Sequence, residues 1–308
     1  MKGVFLFNLF IFMSKLDSHE LVVAKAGTNV LTYKPPGRPS ARLDNNTLQN
    51  LADDVSSVME STGLGVILVS SGAIGAGNEL TNWRRNLKDV PDEHVKQALA
   101  AIGQPRLTAK WADAFEGALP PRLVAQILLT QNNLADDRER KHLFNALRVL
   151  LDQRVVPIAN ENDVVSVDEI KENRIIETDA SGGEKKINGG KSKFGDNDQL
   201  ATQLAKTTGA KILALLTDVK GICDKDPSKY DDAKLFERLK ASEMDEDFFG
   251  RIGASGNENG TGGPGSKARA AKSAAESGMI AVIADGKVPG VLGKIVKGEK
   301  IGTWIYPE

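Results

Sequence analysis

The stretch "GTGGPGSK", residues 260 to 267, sets glycines and one lysine ahead of a helix-forming run. A phosphate-binding P-loop needs two glycines with four residues between them, then Lys, then Ser or Thr. Gly260 and Gly265 keep that gap, but Ser266 takes the lysine position, Lys267 comes one residue late and Ala268 follows. The preceding "GASGNEN" is no strand either. This is not a P-loop, and what its glycines and lysine do stays open at this point.

Other stretches offer chemistry of the same kind. "KAGTN" puts Lys25 directly after an apolar run, with Gly27 where backbone can approach a ligand. A lysine there can neutralise a phosphate while nearby amides donate to its oxygens. Equally, it can close an edge strand beside a turn. "SSGAIGAG" (70–77) carries Gly72, Gly75 and Gly77, whose spacing misses the dinucleotide fingerprint. It reads either as a small-residue loop that admits a ligand carboxylate to backbone amides or as tight helix–sheet packing.

"NEND" (160–163) and "GDND" (195–198) each crowd amides and carboxylates after apolar sequence. Such a mixture suits a ligand carrying both an ammonium and a carboxylate group. The alternative is Asx turns and helix N-caps. Thr217 and Asp218, in "TDVKGICDKDP", can hold a ribose or base, or shape a turn. "DDRER" reads as a solvated helix start.

These motifs need a frame. Four apolar runs, "LVVA", "VILVS", "VVPIA" and "ILALL", each end in one of the polar motifs. Continuous hydrophobicity predicts strands covered on both faces, as in a parallel sheet with crossover helices. Leu48, Leu51, Val55, Val58 and Met59 share one face of a helix opened by "DNNT". Leu143, Phe144, Leu147, Leu150 and Leu151 share another, and "QLATQLAKTTGA" and "SKARAAKSAAESGM" are helices closed by glycine. The β-α-β-α order predicts an α/β sandwich whose ligands bind beyond the carboxyl ends of the strands, so the motifs should converge on one edge.

Composition narrows the classes. With 308 residues and 41% hydrophobic content, the chain can bury a sizeable core. A net charge of -1 gives no general affinity for nucleic acid or anionic membrane. One cysteine, Cys223, excludes an internal disulfide and fits a reducing, cytoplasmic setting. One cysteine and three scattered histidines give no zinc-type cluster, and no metal ligands are assigned. "MKGVFLFNLFIFMSK" opens an N-terminal leader over residues 1–19, too short in its apolar run to span a bilayer, with Met13 as an alternative start. Residues 20–308 read as one domain, broken by a polar, glycine-rich insert at 171–194 that reads as a hairpin flap or a loop. The charged segment 228–251 reads as an excursion with one or two short helices.

Taken in order, "VVAKAGTNVLT", "VILVSSGAIGAG", "KQALAAIGQPRL", "QILLTQNNLADDRER", "VVPIANENDVVSVDEIK", "GDNDQLA", "LLTDVKGICDKDP" and "GTGGPGSKARAA" resemble the amino acid kinase family. Within it, "KQALAAIGQ" and "DDRER" resemble the glutamate 5-kinases more than the kinases of aspartate, acetylglutamate, carbamate or UMP. The resemblance implies a three-layer αβα sandwich on a mainly parallel sheet. It implies transfer of phosphate from ATP, with Mg2+, to the side-chain carboxylate of L-glutamate, the step that opens proline synthesis. It also implies a homo-oligomer, proline as a feedback inhibitor, and hand-over of product to glutamyl phosphate reductase. Many family members carry a C-terminal PUA domain; the chain ends at "GTWIYPE", and none is expected here.

The resemblance also assigns residues. Lys267 and Lys25 would flank the transferred phosphoryl group, and Asp198 would orient both lysines rather than act as a base. Ser71, Asp163 and Asn197 would bind glutamate. ATP would lie along Lys25, Gly27, Thr217, Asp218 and the run Thr261, Gly262, Gly263, Pro264, Gly265, Ser266 and Lys267. The family loop usually reads Gly-Gly-Met, a small residue, Thr and Lys, so Pro264, Gly265 and Ser266 depart from it. Two alternatives stay open: a related kinase for another carboxylate or carbamate, and a catalytically silent amino-acid sensor.

Overall fold

The structure, a computed structural model, describes residues 20–36, 41–81, 90, 92–166, 176–178, 184–186, 197–225, 230–252 and 264–308. The leader expected over residues 1–19 lies outside them.

The N-terminal half begins with β1 (Leu21–Ala26), α1 (Thr28–Leu31), β2 (Thr32–Tyr33), β3 (Arg42–Leu43) and α2 (Asn45–Thr62). It continues through β4 (Gly65–Ser70), α3 (Ala73–Thr81), α4 (Asp92–Glu116), β5 (Val124–Leu129), α5 (Gln131–Ala135), α6 (Asp137–Asp152) and β6 (Val156–Glu161). A short antiparallel pair follows, β7 (Ile176–Thr178) with β8 (Glu184–Lys186), within the insert. The C-terminal half holds α7 (Asn197–Thr208), β9 (Ile212–Thr217), β10 (Arg238–Lys240), α8 (Glu246–Arg251) and α9 (Pro264–Glu276). It ends with β11 (Ile280–Asp285), α10 (Val291–Val296) and β12 (Thr303–Tyr306).

One eight-stranded sheet runs in the order β10-β12-β11-β9-β1-β4-β6-β5. Its centre, β9, β1, β4 and β6, is the set of four apolar runs read from the sequence, and these strands pair in parallel. β11 and β5 extend the parallel ladder, while β12 pairs antiparallel with β11. The excursion after residue 228 holds more than helix, because β10 joins β12 at the sheet edge. From β1 the N-terminal half of the chain fills one side of the sheet and the C-terminal half the other. The β1–β9 border is therefore the topological switch point, where open α/β sheets bind ligands.

Period-two alternation divides the core into two layers. Val22, Ala24 and Ala26 of β1 face a cluster with Leu48, Leu51 and Val55 of α2, Leu107 and Trp111 of α4, and Leu292 and Ile295 of α10. Val23 faces the other way, against Leu200 and Leu204 of α7 and Ala268 and Ala271 of α9. Burying each large aliphatic side chain contributes about 1.5–3 kcal/mol, which makes these two layers the main source of stability.

Local chemistry sets the helix bounds. Asp44 caps α2, accepting from the N–H groups of Asn46 and Thr47. Asp136 caps α6 in the same way, so "DDRER" is the helix start it was read to be. The apolar stripe of α6 is only half covered: Leu147 is buried, but Phe144 is 41% exposed. Helices α3 and α4 cross at backbone contact, since a Cβ on Gly77 would lie 2.0 Å from Leu99 O and one on Gly103 would lie 1.8 Å from Ala73 O. Gly77 therefore serves helix–helix packing, not the helix–sheet packing or ligand loop read from the sequence. Pro105 lies on the exposed side of α4, and the helix continues through it.

Candidate functional site

Alternation along β1 decides where Lys25 points. It shares the face of Val23, toward α7 and α9, and Asp198 and Lys267 lie in the first turns of those two helices. Lys25 Nζ is 2.6 Å from Asp198 Oδ1, and Lys267 Nζ is 3.2 Å from Asp198 Oδ2. Each ammonium thus takes its own carboxylate oxygen, and all three side chains are buried. Burial pushes the Asp198 carboxyl upward, but the Lys25 and Lys267 charges and hydrogen bonds outweigh it and hold the pKa below the ordinary value. The carboxylate is therefore fully ionised at neutral pH and poorly suited to accept a proton. A Cβ on Gly27 would lie 3.5 Å from Lys25 Nζ, which places this residue beside the ammonium.

The lowered pKa has a consequence with a definite sign. Asp198 contributes stability above its ordinary pKa of 3.8 and loses it as pH falls through the depressed folded value. Asp198→Asn should cost about 3–5 kcal/mol at pH 7, because two buried ammonium groups lose their counter-charge. The gap between wild type and variant, measured by urea unfolding, should narrow as pH drops below about 4. A gap independent of pH would mean that the carboxylate is not held ionised by the lysines.

A second cluster adjoins the first, because Asn197 precedes Asp198 on the same helical turn. Asn197 Nδ2 donates to Ser71 Oγ (2.9 Å) and to Asn160 Oδ1 (3.0 Å). Asn160 Nδ2 donates to Gln104 Oε1 (2.8 Å), and Glu161 N donates to Asn160 Oδ1 (2.9 Å). The Ser71 turn is braced from α4, where Trp111 Nε1 donates to Ser70 Oγ at 2.8 Å and Ser70 Oγ donates to Ser71 O at 3.1 Å. Asp163 sits in the turn after β6, partly buried.

On the other side of Lys25, Thr217 Oγ1 donates to Asp218 Oδ1 at 3.2 Å, and Asn29 Nδ2 donates to Asp218 Oδ2 at 3.0 Å. The described residues among those read from the sequence thus form three adjoining groups at the carboxyl edge of β9, β1, β4 and β6. Thr261, Gly262 and Gly263 lie outside the described residues. Pro264, Gly265 and Ser266 do not belong to a loop: they form the first turn of α9, where proline's fixed φ and missing N–H suit the opening position. Sequence reading missed Asn29, Gln104, Trp111 and the separate role of Asn160. One signal was available: a polar Asn inside the apolar strand "VPIANE" must find a partner once buried.

Among the described residues no helix is long and apolar enough to cross a membrane. The amino acid kinase family profile matches residues 20–285. The glutamate 5-kinase of Thermoanaerobacter sp. (strain X514) is 38% identical over 286 residues, which cover 93% of this chain and 68% of that protein. The glutamate 5-kinase of Dehalococcoides mccartyi (strain CBDB1) is 36% identical over 294 residues, 94% of this chain and 69% of that protein. Among solved structures, carbamate kinase from Giardia lamblia bound to AMP-PNP matches with a TM-score of 0.62 at 18% identity, covering 94% of this chain and 99% of that one. Isopentenyl phosphate kinase matches with a TM-score of 0.58 at 18% identity, covering 92% of this chain and 99% of that one. At such identities the likeness is one of fold.

Proposed function

This chain belongs to the amino acid kinase family, and from that premise we propose that it acts as a glutamate 5-kinase, moving the γ-phosphoryl group of ATP onto the side-chain carboxylate of L-glutamate. The observation that carries this reading is the buried Lys25–Asp198–Lys267 trio at the switch point of the sheet. Glutamate's side-chain carboxyl has a reference pKa of about 4.3, so the nucleophile is already ionised at neutral pH and needs no general base. The difficulty is to hold two anions together and to stabilise charge on the phosphoryl group in transit. Two lysines on one carboxylate meet that need, since Asp198 sets their positions and their ammonium groups bring positive charge to the phosphate oxygens.

The glutamate would lie against Ser71, Asn197 and Asp163, and the nucleotide along Gly27, Thr217, Asp218 and the start of α9. Thr261, Gly262 and Gly263 would approach its phosphates. Among the described residues no three His, Cys, Asp or Glu side chains group to hold a metal, so Mg2+ would arrive on the nucleotide's own phosphates and neutralise part of their charge. Exposed Leu119, Leu123 and Leu128 near the β5 edge, with Phe144 and Val149 on α6, support assembly into a homo-oligomer. The single cysteine supports a cytoplasmic setting. An acyl phosphate is short-lived in water, which favours hand-over to a reductase, and proline inhibition belongs to the same reading.

The deciding experiment is ATP turnover with glutamate, aspartate, acetylglutamate and carbamate in parallel, with acyl phosphate trapped by hydroxylamine. Hydroxamate from glutamate alone is expected; preference for another acceptor would overturn the substrate assignment. Within that assay Asn197→Ala should raise the glutamate KM by roughly 10- to 100-fold, since partners of two hydrogen bonds are left unpaired. ATP binding without glutamate should hardly change. Calorimetry showing equal losses for both ligands would make Asn197 a support of the loop, not of the substrate.

A further inference from the structure

The amide groups behind Ser71 form a relay whose polarity is fixed from both ends. A backbone N–H can only donate, so the hydrogen bond from Glu161 N makes Oδ1 the atom of Asn160 that faces it. Asn197 must then present Nδ2 to that same oxygen, and Asn160 must turn its own Nδ2 toward Gln104. At the other end, the Thr108 hydroxyl donates to Gln104 O at 3.1 Å, so Thr108 Oγ1 can accept from Gln104 Nε2 at 3.4 Å. This leaves Gln104 Oε1 as the acceptor for Asn160, and the two ends agree.

The outcome reaches the candidate substrate residues. Asn197 Nδ2 is spent on Ser71 Oγ and Asn160 Oδ1. Asn197 Oδ1 is buried and has no hydrogen-bond partner among the described residues. A buried acceptor of this kind is costly until something donates to it. Ser71 Oγ, having accepted from Asn197, keeps its own hydrogen to give. One acceptor and one donor side by side match a ligand that carries an ammonium beside a carboxylate.

We propose that Gln104 is a positioning residue for substrate recognition: through Asn160 it fixes the amide of Asn197 so that Oδ1 accepts from the ammonium group of an amino-acid substrate while the Ser71 hydroxyl donates to its carboxylate. The proposal rests on the glutamate reading above and names the residue, 8% exposed on α4, that holds the Asn160 amide in place without touching the substrate. With a hydrocarbon in place of Gln104, Asn160 Nδ2 loses its acceptor, and the Asn160 amide, held then only through Oδ1, is free to turn away from the position that orders Asn197.

The test is steady-state kinetics of the full chain as wild type, Gln104→Leu, Gln104→Glu and Thr108→Val, with thermal melts of each. Gln104→Leu should raise the glutamate KM roughly 10- to 100-fold, with ATP KM and kcat changed much less. Gln104→Glu keeps an acceptor for Asn160 Nδ2 and should restore the glutamate KM to within about threefold of wild type. Thr108→Val releases the head of the relay while leaving Gln104 in place, and should raise the glutamate KM several-fold; it carries the test should Gln104→Leu not fold. Unchanged glutamate KM in Gln104→Leu and Thr108→Val overturns the proposal, and so does a Glu variant as impaired as the Leu variant, which would indicate packing alone. A wild type that never turns over glutamate overturns the substrate reading and the relay with it, whereas a working wild type with unaffected variants overturns the relay alone.

Discussion

Lys267→Ala should lower kcat by roughly 10²–10³-fold, by analogy with the loss of one preorganised transition-state donor, and should change the glutamate KM far less. The asymmetry follows from where the charge acts. Lys267 is held 3.2 Å from Asp198 Oδ2 at the first turn of α9, on the opposite side of that carboxylate from Lys25. In the proposed mechanism its ammonium would gain most when negative charge spreads over the transferring phosphoryl group, which happens only at the transition state. The proposed glutamate pocket of Ser71, Asn197 and Asp163 would not depend on it. Initial-rate measurements across both substrates give the split directly. A variant with near-normal turnover would reduce Lys267 to a buried partner of Asp198 and remove the main support for the kinase mechanism.

A large loss of stability is also expected at Gly103, away from any charge. Adding a Cβ there would put it 1.8 Å from Ala73 O and 2.4 Å from Gly77 N, both backbone atoms with no side chain to move aside. Gly103→Ala must therefore push α3 and α4 apart, at a cost on the order of 3 kcal/mol or more, at or beyond the upper end of ordinary overpacking. Because α4 also carries Gln104 and Trp111, the displacement should raise the glutamate KM as well. Gly250→Ala is the matched control: it lies in helix α8, and a Cβ there meets nothing within 4 Å. That substitution should be neutral or should stabilise by up to about 1 kcal/mol through helix propensity. Urea unfolding of the two variants checks the pair, and a Gly103→Ala protein as stable as wild type would mean that the helices do not cross so closely.

The centre of the sheet was legible because each of its strands is a continuous apolar run stopped by polar residues, a pattern that only a doubly covered parallel strand needs. β11 has the same apolar character, "IAVIAD", but no conspicuous motif behind it, and so it passed unmarked. β10 and β12, with 3 and 4 residues, are too short to show a period. Helix α4 was hidden by Pro105, a residue that ordinarily ends a helix; it is tolerated here because Leu99, Gly103, Leu107 and Trp111 pack on the opposite stripe. The lysines and Asp198 were legible through the ordered motifs and their family likeness. The amide relay was not, because Asn160 and Gln104 are 56 residues apart and Asn197 and Ser71 are 126 apart, distances over which no local pattern extends.

The border between β1 and β9 bears on how the active molecule comes into being. On one side of it stand strands from the first half of the chain, with Lys25; Asp198 and Lys267 arrive on helices of the second half. Neither half can assemble the trio by itself, however complete its own strands and helices become. If the trio is catalytic as proposed, activity during refolding should return only with the docking of the two halves, whereas backbone signals such as circular dichroism can recover earlier within each.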